Sequence, residues 1–231
     1  MPELAISRPA PSRVSHRLRL ASGYALLVLG CFAAGYLLGP SADVEKDPSA
    51  GLERSKLPRP QPVADFTLQD IDGSGAYTRE RLLHQWTLMY FGYSHCPDVC
   101  RPTLGVLAEV ARSLRAAPHW TTRLELVFVS VDPARDTAAR LRAYLSRSDA
   151  DLVGLRGSEK QIAGLAQQLG IMHARGNPDE VGGYLVDHPA TILLIDPTAR
   201  LRAGFSLPHD PGRIVEQILD IEHEFTAERT G

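Results

Sequence analysis

Two runs, WTLMYFGY at 86–93 and LELVFVSVD at 124–132, are apolar on both faces. A strand with one wet face alternates apolar and polar residues. A run without alternation belongs inside a sheet covered on both sides. Between the runs, Leu104, Leu107, Ala111 and Leu114 recur at helical spacing. Strand, helix, strand implies a crossover unit and a parallel pair.

The flanking sequence extends this unit. DFTLQDIDGSGAYT alternates and then turns at Asp72-Gly73, a strand and hairpin at the entrance to the domain. A helix is expected from Asp136-Thr137, with Leu141, Tyr144 and Leu145 on one face. Another is expected from Ser158, where SEKQ matches a capping box and Gly170 supplies the stop. TILLID (191–196) and RLRAGF (200–205) read as two strands joined by a short turn. Asp210-Pro211 gives an N-cap and first-turn proline to a final helix carrying Ile214, Val215, Ile218 and Ile221. The expected fold is a thioredoxin-like α/β sandwich with an N-terminal β-hairpin addition. No internal repeat is present.

At 231 residues the chain has room for one ordinary domain plus extras, or two small domains, and the folded domain is placed at 62–231. Upstream, residues 21–39 form nineteen uncharged residues, a helix roughly 28 Å long. That length is close to the roughly 30 Å hydrocarbon core of a bilayer. Arg8, Arg13, Arg17 and Arg19 precede it against one acid, Glu3. The expectation is a cytoplasmic tail at 1–20, a single transmembrane anchor at 21–39, and a domain on the far side. A cleaved signal peptide is the rival reading, and PSA at 40–42 is its poor cleavage site. Residues 40–61, with Pro40, Pro48, Pro58 and Pro60 among mixed charges, read as a linker. A net charge of −2 offers no basic surplus for nucleic acid, and three cysteines are too few for a disulfide framework. Cys31 lies within the apolar span and reads as a filler.

Cys96 and Cys100 stand where the first buried strand gives way to its helix, in YFGYSHCPDVC. Positive potential at a helix start lowers a thiol's pKa and favours the thiolate. The spacing permits a disulfide, a redox dithiol or a shared soft metal, and does not choose among them. A third ligand would. Of eight histidines, His16, His84, His119, His209 and His223 occur in polar or terminal contexts, and His173 has no evident partner. His95 adjoins Cys96, where joint ligation is awkward. His188, in VDHPATILLID, precedes a buried strand whose start lies beside the cysteine junction in a thioredoxin-like sheet. Asp98 reads as a first-turn helix residue, Asp187 as an acceptor that orients His188, and VDPARDT as a turn and N-cap.

Taken together, YFGYSHCPDVC, VFVSVDPARDT (127–137) and DHPATILLIDP (187–197) resemble the three signatures of the SCO/SenC family. Its members are membrane-anchored, thioredoxin-fold copper proteins that help assemble cytochrome c oxidase. The resemblance spans residues 62–226 and implies copper bound by Cys96, Cys100 and His188, as Cu(I), Cu(II) or both. It also implies a loop at 127–137 that flanks the site without ligating. The chain departs from the pattern at Arg101, where many members have proline, and at Pro189, which allows a cis bond. The function implied is a metallochaperone that delivers copper to, or prepares the cysteines of, the CuA site in the oxidase's copper-bearing subunit. Other copper chaperones or thiol reductants are further partners. The alternative is a thiol–disulfide oxidoreductase with Cys96 and Cys100 as its redox pair. A peroxidase reading is weak, because the residues before Cys96 lack the threonine and proline arrangement expected around a peroxidatic thiol. The expected location is a bacterial inner membrane with the domain in the periplasm.

Overall fold

The computed structural model describes residues 55–118, 120, 123–178 and 183–230. The expected tail at 1–20 and the expected anchor at 21–39 lie outside the described residues. Among the described residues no helix is long and apolar enough to cross a membrane.

The two apolar runs form β4 (Trp86–Gly92) and β5 (Leu124–Ser130), parallel, in register from Trp86↔Leu124 to Gly92↔Ser130 and buried along their whole lengths. The crossover between them is α1 (Cys100–Ala116). A second crossover through α2 (Ala138–Leu145) leads to β6 (Leu152–Arg156), parallel to β5. On the other side of β4, β9 (Ile192–Ile195) pairs antiparallel, and β10 (Arg200–Phe205) pairs antiparallel to β9. The expected entrance hairpin is β2 (Thr67–Asp70) and β3 (Ala76–Thr78). It extends the sheet beyond β6 through an antiparallel β2–β6 pairing.

At the opposite edge, β1 (Lys56–Pro62) pairs antiparallel with β10. The expected linker at 40–61 is therefore corrected over its described part, because residues 56–61 belong to the sheet. Edge position reconciles the strand with Pro58 and Pro60, since an edge strand keeps one row of N–H positions unpaired. The spatial order is β1-β10-β9-β4-β5-β6-β2-β3.

Side-chain alternation divides the interior into two layers. Trp86, Leu88 and Tyr90 of β4 pack with Leu126 and Phe128 of β5 beneath α1, α2 and α4 (Pro211–Thr230). Met89, Phe91, Val127 and Val129 point the other way and meet Ile162, Leu165 and Ala166 of α3 (Glu159–Gln168). This is a thioredoxin-like α/β sandwich with a mixed sheet. The capping box at Ser158 and Gln161 is present, and Gly170 follows α3 at φ +71°, a backbone conformation suited to glycine. Asp210 accepts the Arg213 N–H at 3.1 Å, the expected cap of α4. A two-stranded ribbon, β7 (Ala174–Arg175) and β8 (Val186–Asp187), stands just before β9. The C-terminal ends of β4 and β5 and the loop from β8 into β9 together carry the residues singled out above.

Candidate metal centre

Cys100 is the first residue of α1 and is fully buried, whereas Cys96 is half-buried in the loop before it. The two therefore do not share a helix face. A turn in which the Cys96 N–H donates to the Tyr93 carbonyl brings the first thiol back over the second. Asp98 likewise precedes the helix and is exposed. Gly92, which ends β4, makes room for this arrangement. A Cβ there would lie 3.1 Å from Cys100 Sγ and 2.9 Å from the Phe128 ring. Tyr90 donates its hydroxyl to Cys100 Sγ at 3.4 Å. Both cysteines are free thiols.

His188 follows β8. Its Nε2 lies 3.7 Å from Cys100 Sγ, and its Nδ1 is 3.2 Å from the Pro189 carbonyl. A carbonyl only accepts, so Nδ1 carries the proton and Nε2 presents a lone pair to the thiols. The sequence pointed to Asp187 for this orienting role. The backbone of Pro189 performs it instead; the cis bond that this proline would allow is not formed, and among the described residues the cis peptide is Leu207-Pro208. Tyr93 and Tyr90 set their ring edges against the imidazole at centroid distances of 5.7 and 6.1 Å.

The two thiols are electrostatically unequal. Cys96 is held well below the ordinary thiol range, chiefly by a hydrogen bond from the Cys100 thiol, with further help from the backbone N–H groups of Cys100 and Asp98. Cys100 is raised, first because it supplies that proton and second because it is buried. The pair thus holds a thiolate at the accessible position and a thiol beneath it. Helix-start potential alone would have lowered both.

One donor atom from each of Cys96, Cys100 and His188 falls within a set whose members all lie within 4.8 Å of one another. The 3.7 Å from sulfur to nitrogen is shorter than the roughly 4.3 Å sum of a metal–thiolate and a metal–imidazole bond. One ion can therefore reach both. Two sulfurs and an imidazole form a soft donor set, suited to Cu(I) or zinc rather than to magnesium or calcium.

The VDPARDT loop does more than turn and cap. Asp136 is fully buried and accepts the Ser94 N–H at 3.1 Å, the Ser94 hydroxyl, and the Ser130 hydroxyl at 2.6 Å. It ties the cysteine loop to the end of β5. Asp132, also buried, accepts the Tyr184 hydroxyl at 2.7 Å and pairs with Arg135. The Arg135 guanidinium lies 3.5 Å from the Tyr184 ring centroid and 5.7 Å from that of Tyr93. Tyr184 is two residues before β8, so this stack fastens the segment leading to His188. Sequence reading missed these positioning residues. The available signal was polar Ser130, Asp132 and Asp136 in and beside an otherwise apolar strand.

His95, Asp132 and Asp136 also approach one another closely enough to suggest a metal site. Their lone pairs are already engaged, since Arg140 donates to His95 Nε2 at 2.8 Å and the carboxylates serve the bonds just described. His173 is half-buried beside a cavity of about 230 Å³ that includes Asp132 and Arg175, and burial followed by the nearby His188 lowers its pKa.

Comparison with known proteins places these features in one family. The SCO1/SenC family model matches residues 55–222. The chain is 34% identical over 198 residues to "Protein SCO2 homolog, mitochondrial" of Mus musculus, covering 84% of this chain and 76% of the relative. Among solved structures, ScoI of Arabidopsis thaliana with copper bound aligns at a TM-score of 0.64 and 28% identity, over 70% of this chain and 98% of that one. ScoI of Bradyrhizobium japonicum with copper bound aligns at 0.59 and 34% identity, again over 70% and 98%.

Proposed function

The chain belongs to the SCO1/SenC family, and from that premise we propose that it binds copper at Cys96, Cys100 and His188 and serves cytochrome c oxidase assembly. The observation that carries this reading is the convergence of one thiolate, one thiol and one imidazole lone pair within 4.8 Å. Copper is cargo here. Thiolates favour Cu(I) and imidazole accepts either oxidation state, so the set suits a metal that is taken up and passed on. Cys96 is accessible enough for an incoming ligand to displace it, while Cys100 and His188 are held by Tyr90, Gly92 and the Pro189 carbonyl. Ligation by Cys100 requires its proton to leave, so uptake releases acid.

In this proposal the recipient is the CuA site of the copper-bearing oxidase subunit. The uncharged span at 21–39 and the arginines before it support a single membrane anchor with the domain in a bacterial periplasm. In the source organism, replacing both cysteines with serine should depress oxidase activity, and added copper should restore part of it. An unaffected oxidase would overturn the assignment.

The inequality of the thiols supports a second reading. The Cys96 thiolate would attack one sulfur of a partner disulfide, forming a mixed disulfide and releasing the other sulfur as a thiolate. Cys100, after losing its proton, would then attack Cys96 Sγ and free the second partner sulfur. Two electrons pass to the partner, and a Cys96–Cys100 disulfide remains. Rescue by an added thiol reductant, and not by copper, would favour this reading.

A further inference from the structure

Beside the cysteine loop, two small cavities of about 160 and 190 Å³ share Tyr144 and Arg147 as lining residues. The first also holds Arg101, the residue after Cys100, and the second holds Arg140. Among the described residues none of these three arginines pairs with a carboxylate. Arg140 lies 2.8 Å from His95 Nε2, and Arg101 lies over the Tyr144 ring at 5.9 Å. Asp149 lines the first cavity and forms no ion pair with them, and the oxygens of Asp136 serve Ser94 and Ser130. Tyr144 itself is 8% exposed, and its hydroxyl is buried with no hydrogen-bond partner. Buried polar groups are rarely left so.

Three guanidinium groups without a carboxylate partner around an unsatisfied hydroxyl form an acceptor-seeking surface. We propose that this cluster docks the carboxylate side chains of the protein that exchanges cargo with the metal centre. The proposal rests on reading Cys96, Cys100 and His188 as a transfer site. Three observations fix the occupant. The cavities are far smaller than the roughly 300–1,000 Å³ of a small-molecule site, so they fit single side chains. Guanidinium groups match carboxylates geometrically as well as by charge. Ser94 and His95, which lead into Cys96, line the second cavity, so a protein reaching Cys96 comes up beside the cluster. Arg101, the departure from the family pattern noted above, thus becomes a specificity feature of this chain. Complementary charge of this kind steers encounter and fixes orientation.

The test uses the full chain, reduced, with a fluorescein-labelled hexaglutamate peptide and its hexalysine counterpart, read by anisotropy. The acidic peptide should bind and weaken with added salt, and the basic one should not bind. An Arg101→Glu/Arg147→Glu double variant should lose roughly tenfold or more in affinity. Tyr144→Phe, which keeps the ring and removes the hydroxyl, should lose a few-fold. Copper content of the same samples is read alongside and should be unchanged in every variant. A wild-type chain that binds the acidic peptide but holds no copper would overturn the proposed function while supporting the docking surface. A copper-holding chain that ignores the acidic peptide, or a double variant that binds it as well as wild type, would overturn the docking surface. Displacement of the peptide by inorganic phosphate at equal concentration would overturn it too, by marking a small-anion site.

Discussion

Replacing Asp136 with alanine should damage both the stability of the fold and its metal centre. The carboxylate accepts the Ser94 N–H at 3.1 Å, the Ser130 hydroxyl at 2.6 Å and the Ser94 hydroxyl. Alanine orphans all three donors. Ser94 is half-buried and its hydroxyl can turn to water, so two losses dominate: the Ser94 N–H and the fully buried Ser130 hydroxyl. At roughly 1–3 kcal/mol for each orphaned buried group, less what is regained by no longer burying a carboxylate, the expected cost is about 3 kcal/mol. In a chain of this size that lowers the melting temperature by roughly 6–12 °C. Freed from the clamp, the cysteine loop should also hold copper about 10–100-fold less tightly, the usual effect of losing a group that orients ligands. Asp136→Asn keeps one acceptor oxygen and should fall between alanine and wild type. Thermal unfolding and a copper competition titration read the two effects. A variant melting within about 2 °C of wild type and holding copper equally well would refute the clamp.

Gly92→Ala places a methyl group 3.1 Å from Cys100 Sγ and 2.9 Å from Phe128, an overpacking cost of about 1–3 kcal/mol measurable by urea unfolding. Copper affinity should fall with it, because the displaced atom is a ligand. Cys96 should be alkylated by iodoacetamide at a rate nearly flat between about pH 6 and 8, where an ordinary thiol gains roughly tenfold per unit. Its thiolate is already formed over that range, so raising the pH adds none. Cys100→Ala removes the side-chain donor to Cys96 and should restore part of the slope. Glu228, hydrogen-bonded by Arg202, is held below the ordinary carboxylate range. A depressed acid contributes stability above its unfolded pKa of about 4.3, and loses that contribution as pH falls through the folded value. Glu228→Gln should therefore be less stable than wild type at neutral pH and equal to it in strong acid, by urea unfolding at both.

Burial was legible in the sequence wherever it was written as periodicity. The largely apolar β4 and β5, the stripe of α1, and the caps at Ser158 and Asp210 are local signals, and each element formed where its pattern placed it. Lys56–Pro62 was illegible because an edge strand needs neither an apolar face nor a complete set of N–H donors, so its prolines and charges read as linker. The three metal-centre residues could be picked out because thiols and an imidazole are chemically conspicuous. Their support could not. Asp136 meets Ser94 across 42 positions, and Tyr184 meets Asp132 across 52. Such pairings are set by the sheet order and leave no local pattern. The split between the thiols was hidden for a similar reason, since it depends on a loop that turns Cys96 out of the helix.

The central claim is that three groups brought together from the cysteine loop, the first turn of α1 and the loop after β8 act as one copper site. It is tested most directly by the copper content of the purified, reduced chain beside a His188→Ala variant. The account predicts about one copper per wild-type chain and much weaker retention without His188, whose Nε2 lies 3.7 Å from Cys100 Sγ. A wild-type chain that holds no copper, or a variant that holds it equally well, would contradict the site and leave Cys96 and Cys100 as a redox dithiol.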